Sequence, residues 1–114
     1  MAITRADIAA ALDVVEGVRG NAYPPKTPPA GDAWPVWEST SLATLGFGLA
    51  ITWSVLVTLS NADLDQTISE ADPLVEAVAS AIARLGALGL IEPYRITTTG
   101  PNTLPALRFG LETI

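Results

Sequence analysis

The densest group of candidate ligands in the sequence is an acidic segment near its middle. Five carboxylates fall within fourteen positions: Asp63, Asp65, Glu70, Asp72 and Glu76. Oxygen-bearing side chains at alternate positions 63, 65, 67 and 69 are typical of a calcium-binding loop. That motif, however, needs Gly where this chain has Ile68 and a bidentate Glu where it has Leu74. We therefore favour a solvated connection, or an acidic rim that pairs with basic residues of a partner, over a metal site.

Most other chemistry is excluded by composition. The chain has 12 acidic and 6 basic residues, a net charge of −6, no histidine and no cysteine. These absences remove His-dependent triads, thiolate nucleophiles, disulfides and Cys/His zinc sites. A nucleic-acid reader is disfavoured because it needs clustered Lys and Arg. We predict that the protein is not an enzyme and has no cofactor or metal, the one enzymatic alternative being a metal-dependent carboxylate site in the acidic segment.

The negative charge is local. Residues 38–76 carry six acidic residues and no base, whereas residues 1–37 sum to −1 and residues 77–114 to +1. Such one-sided charge is common at complementary protein interfaces.

An uncharged run of 24 residues, Ser39 to Ala62, is long enough to span a membrane as a helix. Within it, every odd position from Leu49 to Leu59 is apolar, while the even positions are mostly small or hydroxylated. Alternation of this kind is typical of a strand with one buried face. We expect a long strand from Leu49 to Ser60 in a soluble, cytoplasmic chain.

Two helices are predicted from apolar spacing. The first runs from Thr4 to Arg19 and begins with a capping pair, Thr4 and Asp7. The second runs from Pro73 to Leu88, with Asp72 as its N-cap and Pro73 at its first position.

The remaining strands are shorter. Trp34–Trp37 predicts an edge strand in which Trp34 and Val36 face one side and Trp37 the other. A second strand over Ser41–Leu45 would turn at Gly46–Gly48 into the long strand. Alternation at Tyr94–Thr98 and at Leu107–Leu111, around a turn at Gly100–Thr103, predicts a C-terminal β-hairpin.

Together these elements predict one domain, residues 1–114, of the α+β class. Its mainly antiparallel β-sheet would have two helices packed on it and a C-terminal β-hairpin.

The layout resembles the tail terminator proteins of long-tailed, siphovirus-type bacteriophages. The resemblance covers nearly the whole chain and is carried by element order and by the segments GDAWPVWE, ITWSVLVTLSNADLD, DPLVEAVASAIARL and YRITTTGPNTLPALRFGLETI. The composition, rich in alanine and poor in lysine, resembles that of phages of actinobacterial hosts.

The resemblance implies a non-enzymatic ring, usually a hexamer, at the head-proximal end of the tail tube. Such a ring ends tail polymerisation and forms the head–tail joining interface. Its partners would be further copies of the chain, the major tail tube protein and a head-completion or stopper protein, with DNA passing the lumen without specific binding and no membrane involved. The protein would be made in the host cytoplasm and reside in the virion tail.

Residues expected at interfaces follow from local chemistry within that picture. Subunit contacts are assigned to Trp37 and to the prolines Pro24, Pro25, Pro28 and Pro29. A basic patch of the tube, or the DNA channel, is expected to face Asp63, Asp65, Glu70 and Asp72. Intersubunit ion pairs are assigned to Arg84, Arg95 and Arg108.

Three alternatives stay open. The chain could be another neck protein, such as a stopper, or a monomeric module that binds peptides at an exposed sheet edge. The string YPPKTPP could also be a ligand for a proline-recognising module, although a structural loop is the simpler interpretation.

Overall fold

The computed structural model describes residues 3–26, 29–42, 49–60, 64–97 and 103–114, except for the side chains of residues 42 and 64–66. The described elements, in chain order, are α1 (Arg5–Asp13), β1 (Arg19–Gly20), β2 (Asp32–Leu42), β3 (Leu49–Thr58), α2 (Leu64–Ile82), β4 (Ala87–Thr97) and β5 (Thr103–Thr113). The strands form one sheet in the order β1-β2-β3-β5-β4, in which only β1 and β2 run parallel. The predicted α+β class is confirmed, including the C-terminal hairpin of β4 and β5.

Both helices pack on the same face of the sheet, and the core lies between the two layers. The alternation of β3 is confirmed in direction, because its odd residues from Ile51 onward point toward the helices and its even residues point to the opposite, helix-free face. The expected single buried face is wrong, since the even residues of the helix-free face are also buried, namely Ala50, Ser54, Leu56 and Thr58. The principal core side chains are Ile8 and Leu12 of α1, Val78 and Ile82 of α2, Val55 and Val57 of β3, and Phe109 and Leu111 of β5.

The first helix is shorter than predicted. Thr4 and Asp7 form the expected capping box, but α1 ends at Asp13 and not at Arg19. The chain then turns through Gly17, whose φ of +82° suits glycine. Val15 and Val18 are still buried in the core, which explains why their spacing looked helical. Arg19 and Gly20 instead form β1.

The second helix begins nine residues earlier than predicted, at Leu64, and it ends at Ile82 and not at Leu88. Pro73 therefore lies inside the helix and cannot donate a backbone hydrogen bond to the carbonyl of Ser69. Asp72 followed by Pro73 is typical of a helix start, but apolar positions continue at helical spacing back to Ile68, and the helix extends with them.

The strand predicted at Trp34–Trp37 is longer than expected. It continues without a break into Ser41 and Leu42 as the single strand β2, with a register shift between Trp37 and Ser39 in its pairing with β3. The predicted turn at Gly46–Gly48 lies outside the described residues. The two indoles do face opposite sides, since Trp34 is 4% exposed beside Leu56 and Trp37 is 54% exposed.

The hairpin is also longer than predicted, because β4 starts at Ala87, where the sequence suggested the end of a helix. Of the predicted turn at Gly100–Thr103, residues 100–102 lie outside the described residues, and Thr103 begins β5. In the part of the chain that the structure describes, neither helix is long and apolar enough to cross a membrane.

Candidate assembly interface

The two edges of the sheet are formed by different strands. At one edge, β1 covers β2 only at Asp32 and Ala33. Among the described residues, no strand lies beside β2 from Val36 onward, and β4 at the other end pairs only with β5. Each end therefore presents backbone N–H and C=O groups that another strand could pair with.

Large apolar side chains are exposed at both ends. Trp37 of β2 is 54% exposed at one edge. Leu90 and Tyr94 of β4 are 70% and 40% exposed at the other. Exposed apolar groups that line unpaired strand edges are typical of surfaces that contact another protein.

Trp37 is held in one orientation although it is exposed. Its Nε1 donates a hydrogen bond of 2.8 Å to the hydroxyl of Thr40. Its register partner on β3 is the core residue Trp53, so Trp37 lies on the helix-bearing face. The indole is thereby fixed beside the outer edge of β2.

Arg108 occupies the centre of a polar cluster on the helix-free face. Its Nε donates to the Ser54 hydroxyl at 2.9 Å, and its guanidinium lies 3.3 Å from a carboxylate oxygen of Glu92 and 3.7 Å from one of Glu38. Its Cζ is 5.7 Å from the Tyr94 ring centroid, within cation–π range. The guanidinium predicted to pair between subunits thus has two carboxylate partners in its own chain, and through them it connects β2, β3, β4 and β5.

An open groove of about 550 Å³ separates α2 from the hairpin. Its lining is mostly apolar, with Ile68 and Val75 on the helix and Pro93 and Pro105 on the strands. Asp72 and Arg95, both exposed, also line it. Helix and hairpin thus bring together two predicted interface residues of opposite charge.

The acidic segment is mostly helix, and this contradicts the alternate-ligand loop. Asp63 lies outside the described residues, whereas positions 65, 67 and 69 belong to α2, where alternate residues point in different directions. Glu70 accepts hydrogen bonds from the backbone N–H and the hydroxyl of Ser60, so it joins α2 to the end of β3. Within the described residues, no three acidic side chains converge as a metal-binding group.

The other predicted residues are dispersed. Arg84 is exposed just beyond α2 and lines a hollow with Val14 and Glu16, on a different part of the surface from the groove. Pro24 and Pro29 are exposed, Pro25 is half-buried and Pro28 lies outside the described residues.

The sequence analysis does not select the exposed β4 residues Leu90 and Tyr94 as interface residues. One sequence signal points to this edge, because Pro93 inside a strand is typical of an edge strand.

No protein-family model, curated protein sequence or solved structure matches this chain.

Proposed function

We propose that the chain is a structural subunit that assembles with its own copies into a ring, and that this ring is the tail terminator of a long-tailed bacteriophage. The observation that carries the proposal is the exposure of large apolar side chains at two different ends of one sheet, Trp37 at one and Leu90 and Tyr94 at the other.

Two different ends favour a closed ring because of symmetry. A two-fold dimer uses the same surface of both subunits, whereas contact between unlike surfaces repeats head to tail and closes when the rotation permits. In such a ring the β2 edge of each copy meets the β4 edge of the next copy, and no copy retains an unpaired apolar edge.

The tail position is proposed from the order of elements described above. The ring would bind the major tail tube protein on one face and a head-completion protein on the other, with DNA passing through its lumen. The exposed carboxylates of α2, Asp72 and Glu76, would face a basic patch of the tube or the DNA channel, where like charge keeps DNA from adhering.

Electron microscopy of tails assembled with and without the protein tests the proposal. We expect overlong or headless tails without it and tails of uniform length, joined to heads, when it is restored. Normal tails in its absence would refute the role. If charge reversal at Asp63 and Asp65 left tail length and head joining unchanged, these two residues would have no role in binding a partner.

The open edge of β4 also favours a second candidate, a monomeric module that takes up an extended peptide as an added strand. The two candidates differ in solution mass, since the module would remain at 11.9 kDa at high concentration. Binding to portal-bearing heads and not to isolated tails would instead identify a stopper protein.

A further inference from the structure

The outward-facing backbone groups of β4 can be assigned from the ladder. Leu59 N–H donates to the Pro105 carbonyl at 2.9 Å, so odd-numbered residues of β5 turn their backbone groups toward β3 and even-numbered ones toward β4. Tyr94 is the register partner of Ala106, and its backbone groups therefore face inward. Its neighbours Pro93 and Arg95 face outward, a position that costs Pro93 no ladder bond.

The same reasoning applies to β2. The Ala33 carbonyl accepts from Asn21 N–H, and the Pro35 carbonyl accepts from Arg5 Nη1 at 3.0 Å. Both groups lie at the outer edge, so the alternation turns the N–H and C=O of Trp37 outward as well.

The two edges also have the direction that pairing requires. The three antiparallel pairs β2-β3, β3-β5 and β5-β4 make β4 run opposite to β2. A second copy, rotated about an axis along the strands, therefore brings its β2 antiparallel to β4 and keeps the helices of both copies on the same side.

Charge and side-chain character select the register. A register with Trp37 opposite Pro93 would place the like charges of Glu38 and Glu92 opposite each other. It would also lose one hydrogen bond, because Pro93 has no backbone N–H to donate to Trp37. Trp37 opposite Ile91 would set Val36 against the Glu92 carboxylate, and Trp37 opposite Thr97 would carry Val36 past the end of β4.

One register avoids all three faults. With Trp37 opposite Arg95, two outward-facing residues meet, Val36 meets Ile96, and Glu38 lies beside Tyr94. Trp37 and Arg95 are exposed on the helix-bearing side, and the pairing places a guanidinium against an indole ring.

We infer that the outer edge of β4 pairs, antiparallel, with the outer edge of β2 of a second copy, with Arg95 opposite Trp37. The inference rests on the proposed ring and specifies its subunit contact. Because the Arg95 side chain lines the groove beside α2, the Trp37 indole of the second copy would lie at the groove's rim.

Disulfide trapping tests this pairing directly because the chain has no cysteine of its own. Val36 and Ile96 would form a non-hydrogen-bonded pair, with Cα atoms roughly 4.5 Å apart, which a disulfide can bridge. The full-length double variant Val36→Cys/Ile96→Cys, oxidised with diamide at high protein concentration, should give a reducible ladder of covalent oligomers. Each single variant should stay monomeric on a non-reducing gel, and an equal mixture of the two should stop at dimers.

Register and folding have their own controls. Val36→Cys/Tyr94→Cys tests the neighbouring register and should cross-link at least tenfold more slowly. Thermal unfolding of the reduced variants checks that they fold. On the unsubstituted chain, hydrogen exchange at the amides of Trp37 and Arg95 should slow at least tenfold between dilute and concentrated samples.

Absence of both the ladder and the protected amides would overturn the pairing, as would dimers from the Ile96→Cys variant alone, which indicate a two-fold β4–β4 contact. Faster cross-linking through Tyr94→Cys would overturn the register. If these results accompanied normally terminated tails in electron microscopy, the pairing would be wrong while the ring function stood. A clear ladder of covalent oligomers, together with normal tails in the absence of the protein, would support the pairing and refute the tail-terminator role.

Discussion

The indole Nε1 of Trp53 donates a hydrogen bond of 3.0 Å to the hydroxyl of Thr113, and both side chains are buried. The bond joins the middle of β3 to the end of β5 on the helix-bearing face. Because Arg5 also lies 5.6 Å from the Trp53 ring, the same indole holds the start of α1 near the sheet.

Replacing Thr113 with Val should lower the free energy of unfolding by roughly 1–3 kcal/mol, since the substitution leaves a buried indole N–H without an acceptor. Urea denaturation measures the change. Thr113→Ser retains the hydroxyl and should recover most of the stability. If the Val variant were as stable as the unsubstituted chain, this hydrogen bond would have no net role.

Arg108 should show energetic coupling to both of its carboxylate partners. Double-mutant cycles that combine Arg108→Met with Glu92→Gln or Glu38→Gln should each give about 0.2–1 kcal/mol, because all three side chains are more than a third exposed. The coupling with Glu92, at 3.3 Å, should be the larger, and 1 M NaCl should weaken both. Arg84→Met is the matched control, and a cycle through Arg84 should give no coupling.

Pro73 provides a test of where α2 begins. Inside a helix, Pro is about 3 kcal/mol less favourable than Ala, so Pro73→Ala should raise the free energy of unfolding by roughly 1–3 kcal/mol. Had the helix begun at Pro73, the same change would be neutral or destabilising.

Pro24→Ala is the control for Pro73, because Pro24 is exposed and outside both helices. It should lower stability by about 0.5 kcal/mol through greater freedom of the unfolded chain. Chemical denaturation of both variants gives the comparison, and a destabilised Pro73→Ala protein would contradict a helix that starts at Leu64.

The parts of the fold that were predictable are those in which local pattern and long-range packing agree. From Ile51 to Leu59 the odd apolar positions lie in the core between sheet and helices, and the Thr4–Asp7 capping pair starts α1 as expected. The start of α2, in contrast, is predicted wrongly. Asp72 and Pro73 are typical of a helix start, although the apolar stripe of the helix continues on both sides of them.

Other errors come from contacts that local sequence does not encode. Arg19 and Gly20 are strand only because Asp32 and Ala33 lie beside them. The interface prediction selected Trp37 and Arg95 separately for their chemistry. Only the strand order shows that they lie at opposite ends of one sheet, where copies of the chain can bring them together.

Gly86 is required by a close backbone approach. A Cβ at this position would lie 2.1 Å from the Glu112 carbonyl oxygen, next to the start of β4. Gly86→Ala should therefore lower the free energy of unfolding by roughly 1–3 kcal/mol. At Gly89, in the same strand region, the nearest atom would be 3.9 Å away, so Gly89→Ala should change stability by less than about 0.5 kcal/mol. Equal effects in thermal unfolding would contradict this packing.

Arg95 should contribute to self-association and not to folding. Its side chain is exposed, so Arg95→Ala should leave the unfolding free energy within about 0.5 kcal/mol. Loss of the cation–π contact with Trp37 of the next copy should weaken association by about 0.5–2 kcal/mol, or roughly 2- to 30-fold in Kd, by sedimentation velocity.

Arg84→Ala makes the same change in net charge away from both sheet edges, and it should leave association unchanged. Trp37→Ala should weaken association as Arg95→Ala does, and the double variant should lose less than the sum of the two, because both substitutions remove the same contact. Equal weakening by Arg84→Ala would attribute the effect to net charge. Strict additivity of Arg95→Ala and Trp37→Ala would show that the two residues do not meet across the interface.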